Sequence, residues 1–186
     1  MTTTWNNIMT CIVTEESLRH AAQQELLTYL TSVISYVARS QPAEEYSELD
    51  LNALYAAFVS LPADQSSALD ITTRNLFLYI CLYSFNELYG LSHAAIHGEP
   101  LDLSEFGSSI VENDIAKNLS ENFNPSRQEL VSIRNNLAIL EKYGVIVRAR
   151  IHKSEFGIPG GGYANTCYLS NSFLSDFYSY LKGTVS

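Results

Sequence analysis

The chain has 186 residues, 46% of them hydrophobic, and a formal net charge of -9, which indicates a folded globular protein and excludes a disordered or fibrous chain. Its opening twenty residues lack the basic segment and apolar core of a secretory signal. The longest apolar run, LFLYICLYSF, is only half as long as the segment of about 20 residues that a membrane span needs. Three cysteines lie far apart and form no CxxC pair, as is typical of reducing compartments. We therefore expect a cytoplasmic protein with no membrane partner.

The charge is unevenly distributed along the chain. Residues 1–112 carry 3 basic and 14 acidic side chains, a balance of -11, whereas residues 113–186 carry 8 basic and 6 acidic, a balance of +2. Such asymmetry points to a nucleic-acid or membrane partner for the less acidic part, although an ordinary solvated surface is also compatible with it.

Two helices are predicted in the N-terminal third. Thr14, followed by two glutamates, predicts a helix N-terminus, and an apolar stripe then continues to about Arg39. The members of that stripe are Leu18, Ala22, Leu26, Leu30, Val33 and Val37. A second helix is predicted from about Leu51 to Leu61, before Pro62. We expect residues 1–69 to form an acidic helical region that dimerises or binds a protein partner.

The middle of the chain contains the most apolar segment. A helix beginning near Asp70 and running through DITTRNLFLYICLYSFNELYG has large residues on nearly every side, which predicts burial at the centre of the fold. Residues 91–109 contain turn residues around PLDLSEF, and they predict a loop with one short strand. The segment ENDIAKNLSENF then predicts a helix of two to three turns.

A well-bounded helix and a hairpin are predicted after residue 125. Ser126 and Glu129 have the spacing of a capping box, and an apolar stripe follows up to Gly144. Residues 147–152 alternate apolar with basic, which is typical of a half-buried strand. YANTCYLS is a second strand, so the glycine-rich stretch between them predicts a hairpin with a long, mobile tip. A short aromatic helix closes the chain.

Residues of about 70–169, and above all DIAKNLSENFNPSRQELVSIRNNLAILEKYGVIVRARI, resemble the winged helix-turn-helix domain of bacterial transcriptional regulators. LAILEKYGVI carries the strongest part of this resemblance, while the turn SENFNPS is longer than such domains usually have. The resemblance implies a mainly α fold with a small β-hairpin (α+β). It places a winged helix-turn-helix domain with a C-terminal helix at residues 70–186, preceded by the N-terminal helices.

The resemblance also implies binding to double-stranded DNA, with the helix after Ser126 in the major groove. Its outward residues would reach base edges, and the cations of the hairpin would meet phosphates or the minor groove. The implied DNA-binding residues are Arg127, Gln128, Ser132, Arg134 and Asn135 on the helix, Arg148, Arg150 and Lys153 on the hairpin, and Lys117 on the preceding helix. An ordinary solvated surface is the alternative for each of them.

Catalytic and cofactor chemistry has little support. The glycine-rich GIPGGG has no GK[ST] after it, and His93 and His97 have no clear third metal ligand except Glu99. Cys81 lies in the most apolar helix, as a core residue does. We therefore expect no enzyme, no metal and no cofactor.

Three functional hypotheses follow. The first is a homodimeric DNA-binding protein, either a transcriptional regulator or a replication or maintenance factor. The second is a winged helix that binds a protein within a larger complex, which the net charge of -9 favours. The third is a mobile-element protein that captures a host factor through its acidic surface.

Overall fold

The computed structural model describes residues 3–40, 50–59, 69–104, 106–120 and 123–185. They are mostly helical with a small three-stranded antiparallel sheet, so the predicted α+β class is confirmed. The elements are α1 (Thr3–Ser40), α2 (Leu51–Val59), α3 (Ile71–Tyr83), α4 (Phe85–Ile96), β1 (Ile110–Val111), α5 (Glu112–Leu119), α6 (Arg127–Lys142), β2 (Ile146–His152), β3 (Tyr163–Leu169) and α7 (Asn171–Val185). A 3₁₀ turn (Lys153–Phe156) lies between β2 and β3.

Helix α1 begins at Thr3, so the predicted start at Thr14 is wrong. No glycine or proline lies between residues 3 and 40, so the backbone continues through Thr14 and gives a helix about 57 Å long. The predicted stripe is buried from Ala22 to Val37. Leu18 is the exception, because 52% of it is exposed and it lies outside the core.

Helix α2 starts one residue after Asp50, whose carboxylate accepts hydrogen bonds from the backbone N–H groups of Asn52 and Ala53, each at 3.1 Å. These bonds satisfy amides that have no partner within the helix. Phe58 is buried and its ring meets Tyr36 of α1 edge to face at 5.2 Å. The predicted end of this helix, at Leu61 and Pro62, lies outside the described residues.

Helix α3 is the centre of the fold, as predicted, because all seven residues from Leu76 to Leu82 are buried. The helix does not continue straight to residue 90. At Ser84 the backbone has φ -97° and ψ 20°, which departs from helical values and separates α3 from α4.

Helix α4 then extends to Ile96, so the predicted loop at 91–96 is wrong. Gly98, at φ 71°, ends this helix: its N–H and that of Glu99 donate to Ala95 and Ala94 carbonyls at 3.4 and 2.9 Å.

The predicted strand in PLDLSEF is also wrong, since the described residues of 100–106 contain none. Asp102 instead accepts a hydrogen bond from the backbone N–H of Ser104 at 2.9 Å, a local turn that competes with strand pairing. The short strand is β1, which pairs antiparallel with β3 so that Ile110 lies opposite Cys167.

The sheet has the order β1-β3-β2. Strands β2 and β3 form the predicted hairpin, in a register that runs from Ile146 opposite Leu169 to His152 opposite Tyr163. One contiguous cluster of buried apolar side chains includes residues of α1, α3, α6 and α7, with the Phe77 and Phe173 rings in edge-to-face contact at 5.8 Å. The predicted boundary between residues 69 and 70 falls directly before α3. No helix among the described residues is long and apolar enough to cross a membrane.

Candidate nucleic-acid interface

Helix α6 is fixed at both ends by local hydrogen bonds. The Ser126 hydroxyl accepts from the Glu129 backbone N–H at 3.2 Å, and the Glu129 carboxylate accepts from the Ser126 backbone N–H at 2.6 Å. This is the predicted capping box, and its hydrogen bonds lower the pKa of Glu129. At the other end Gly144 has φ 72°, and the N–H groups of Gly144 and Val145 donate to carbonyls of the last turn.

A buried polar contact orients α6 against α3. The Thr73 hydroxyl donates to the side-chain oxygen of Asn136 at 2.8 Å, and the Asn136 amide donates to the Ser132 carbonyl at 2.9 Å. Both Thr73 and Asn136 are buried. Asn136 was not among the predicted site residues; its place beside Leu137 on the apolar stripe was the available signal. A buried, satisfied amide of this kind restricts how α6 can rotate on the core.

The predicted base-reading residues share the outer face of α6. Those residues, all exposed, are Arg127, Gln128, Ser132, Arg134 and Asn135. Two apolar residues that the sequence reasoning did not single out lie on the same helix with large exposed fractions, Val131 at 48% and Ile139 at 37%. The outer face therefore combines hydrogen-bonding, cationic and apolar side chains.

The predicted cations of the hairpin differ in whether their charge is paired within the chain. The Arg148 Nε donates to the Glu112 carboxylate at 2.8 Å, and an Arg148 terminal nitrogen lies 3.9 Å from Glu141. The hydrogen bond to Glu112 raises the pKa of Arg148. Arg148 therefore joins β2 to α5 and α6, and its charge is already paired within the chain.

Arg150 and Lys153 are placed differently. The guanidinium of Arg150 lies 5.2 Å from the ring centre of Tyr163, a cation–π contact on an exposed ring. Lys153 begins the 3₁₀ turn, where its backbone N–H donates to the Gly162 carbonyl at 3.0 Å. Neither residue forms an ion pair with any acidic group that the structure describes.

The remaining predicted cation, Lys117, lies exposed on α5, with its ammonium 3.9 Å from Asp114. Both side chains of this pair are more than half exposed, so water screens the attraction and leaves the ammonium accessible.

The histidines and the cysteine considered for other chemistry lie on other elements. His93, in the last turn of α4, and His97, directly after it, are exposed and stack with ring centres 3.9 Å apart. Among the described residues, no group of three or more His, Cys, Asp or Glu side chains is arranged to hold a metal ion. Cys81 is buried in α3, where burial raises the pKa of its thiol well above the usual value.

Comparison of the chain with protein-family models, with curated proteins and with solved structures finds no match.

Proposed function

We propose that this protein binds double-stranded DNA with residues of about 70–169 acting as a winged helix, and that it serves as a transcriptional regulator or as a replication or maintenance factor. The observation that carries the proposal is the outer face of α6, where side chains able to read bases are exposed on a helix fixed by its capping box and by Asn136. The order β1, α5, α6, β2, β3 supports the proposal because it follows the arrangement that the resemblance implies.

In this proposal α6 lies in the major groove. Arg127 can donate two hydrogen bonds to guanine, and Gln128 or Asn135 can pair with adenine in the same bidentate way. Arg134 lies at the edge of that face, and Ser132 farther along it. Arg150 and Lys153 of the hairpin contact phosphates without reading sequence.

Salt dependence tests the proposal directly, because each neutralised phosphate releases condensed counterions. With three phosphate contacts, from Arg134, Arg150 and Lys153, affinity for a mixed pool of duplexes should fall about 40-fold between roughly 50 and 200 mM salt. Fluorescence anisotropy with labelled duplexes measures this slope. Binding that does not respond to salt, or no binding at the lower salt, would reject DNA as the partner.

Two variants test whether the hairpin contributes to the salt dependence of the affinity. Arg150→Ala should lower affinity for all duplexes equally and reduce the magnitude of the slope by about 1. Lys182→Ala is the matched control, because it removes an exposed cation that contacts an aromatic ring, Tyr178, but lies on α7 outside the proposed interface. Equal effects of the two variants would mean that the hairpin has no special part in binding.

A second function is favoured by a specific feature of the same surface. Val131 and Ile139 are exposed on α6, and Phe123 is 65% exposed in the turn before it. Exposed apolar side chains rimmed by polar residues mark protein–protein contacts when they form one patch. If duplex binding fails, α6 is better explained as the contact for a protein partner, either in a larger complex or as a host factor of a mobile element.

Residues 16–21 of α1 are the proposed homodimer contact, because all of them are exposed. The stripe of α1 from Ala22 to Val37 is covered by the chain's own core. The exposed Leu18 marks the side on which a second copy would pack.

A further inference from the structure

A cavity of about 220 Å³ lies between the helix pair α5–α6 and helices α2 and α3. Its apolar wall is formed by Leu76, Ala116, Leu119 and Ile133. The ring of Tyr55 forms another part of the wall and meets Tyr79 edge to face at 6.1 Å. The cavity is partly open to solvent, so a molecule can enter it from outside.

Four polar groups of the wall have unused hydrogen-bonding capacity. They are the hydroxyls of Tyr55, Thr72 and Ser132 and the amide of Asn75, which make no side-chain hydrogen bond to any described residue; Thr72 and Ser132 are exposed. Tyr55 and Asn75 are half-buried, and burial raises the pKa of Tyr55, so its hydroxyl stays protonated and able to donate. A mostly apolar cavity with a few polar groups in its wall is typical of small-molecule sites.

The charge of the wall restricts the kind of molecule. Glu129 is its one acidic residue among those described, and no Lys, Arg or His belongs to the wall. An anion would meet a carboxylate and no compensating cation, so the site disfavours it. Size gives a second restriction: since a cavity of about 150 Å³ holds benzene, this one admits a single ring with a small substituent.

We propose that this cavity binds a small uncharged molecule with an apolar body of about one ring and an amide or hydroxyl group. The apolar body would lie against Leu76, Leu119 and Ile133, and the polar group would bond to Asn75, Ser132 or Tyr55. Such a ligand contacts α3 and α6 at once, beside the Thr73–Asn136 hydrogen bond that sets their packing. The inference does not depend on DNA binding.

Benzamide and benzoate are suitable probes because they have the same size and differ in charge. Benzamide should shift the backbone amide resonances of Leu119, Ile133 and Asn136 in NMR titration of the full chain, with a Kd of about 1 mM, as expected of a ligand with so few atoms. Benzoate should bind at least about tenfold more weakly, because of its charge.

Two variants fill the cavity from different sides. Ala116→Leu places a larger side chain in its wall. Thr72→Leu does the same at an exposed position, where the fold tolerates a larger side chain more readily. Each should weaken benzamide binding at least about tenfold. Thr28→Leu is the matched control, since Thr28 is also exposed on a helix but does not line the cavity, and it should bind benzamide as the unaltered protein does.

The results that support the site differ clearly from those that overturn it. Shifts confined to the wall residues and lost in Thr72→Leu would support the site, even if Ala116→Leu does not fold. The proposal is overturned if benzamide produces no such shifts up to about 10 mM, where a millimolar site is nearly saturated. It is also overturned if benzoate binds equally well, or if Thr72→Leu binds like Thr28→Leu.

Discussion

Replacing Arg148 with alanine should destabilise the protein far more than the same change at Arg150, two residues along the same strand. Glu112 is only 3% exposed and takes its hydrogen bond from Arg148 at 2.8 Å. The second carboxylate oxygen of Glu112 is buried and has no hydrogen-bond partner in the described part of the chain. Without Arg148, the whole carboxylate would be buried without a cation.

The size of the effect follows from the burial of the two partners. Removing one member of a fully buried ion pair costs about 3 to 5 kcal/mol, because the other charge remains uncompensated. Arg148 keeps 26% of its side chain exposed, so water can enter after its removal, and we expect about 2 to 3 kcal/mol. For a chain of this size that corresponds to a fall in Tm of about 4 to 12 °C. Arg150→Ala loses one exposed cation–π contact, worth about 0.5 to 1 kcal/mol.

Urea unfolding followed by circular dichroism measures both variants. A third variant tests the cause: Glu112→Gln removes the charge and keeps the shape, so adding it to Arg148→Ala should recover part of the lost stability. If the double variant is no more stable than Arg148→Ala alone, the uncompensated carboxylate is not the cause. Equal midpoints for Arg148→Ala and Arg150→Ala would refute the reasoning altogether.

Three further predictions concern the DNA-reading face, the dimer and the thiols. Replacing Gln128 or Asn135 with alanine should bring the affinities for preferred and scrambled duplexes closer by about 1 to 3 kcal/mol, with the salt slope unchanged because neither is charged; full discrimination in both variants would favour a protein partner for α6. Sedimentation should show a dimer that Leu18→Asp dissociates, and a monomer at high micromolar concentration would contradict the proposed contact on α1. Iodoacetamide at pH 8 should leave Cys81 and Cys167 of the folded protein unmodified, because burial raises the pKa of Cys167 to about 12 and that of Cys81 well above its usual value. Rapid labelling of either cysteine, detected by mass spectrometry, would disprove their protection.

Helix α6 and the hairpin could be predicted closely from the sequence because their signals are local. Ser126 and Glu129 are three residues apart, and the two reciprocal hydrogen bonds between them define the start of the helix. Gly144 has φ 72°, a backbone conformation in which any other side chain is strained. Interactions of this range are visible in a short window of sequence.

Some of the features that the sequence did not predict depend on contacts between distant segments, although the start of α1 does not. Thr14 has a good capping side chain, yet α1 continues through it because nothing before it stops the helix. Leu18 fits the apolar stripe, but the neighbouring helices cover that stripe only from Ala22 onward. The pairing of Arg148 with Glu112 joins residues 36 positions apart, so the alternation of the strand indicated a basic face without indicating which cation was already paired.

The pairing of Arg148 changes how the charge of the C-terminal part should be interpreted. Its balance of +2 counts Arg148 and Lys117, whose charges lie beside Glu112 and Asp114. The cations without an ion-pair partner among the described residues at the proposed interface are Arg127, Arg134, Arg150 and Lys153. So few cations available to phosphates give weak non-specific binding, especially on a chain of net charge -9. If the proposed function is correct, most of the affinity for a true site must therefore come from base contacts made by α6 and from dimerisation, rather than from electrostatic attraction.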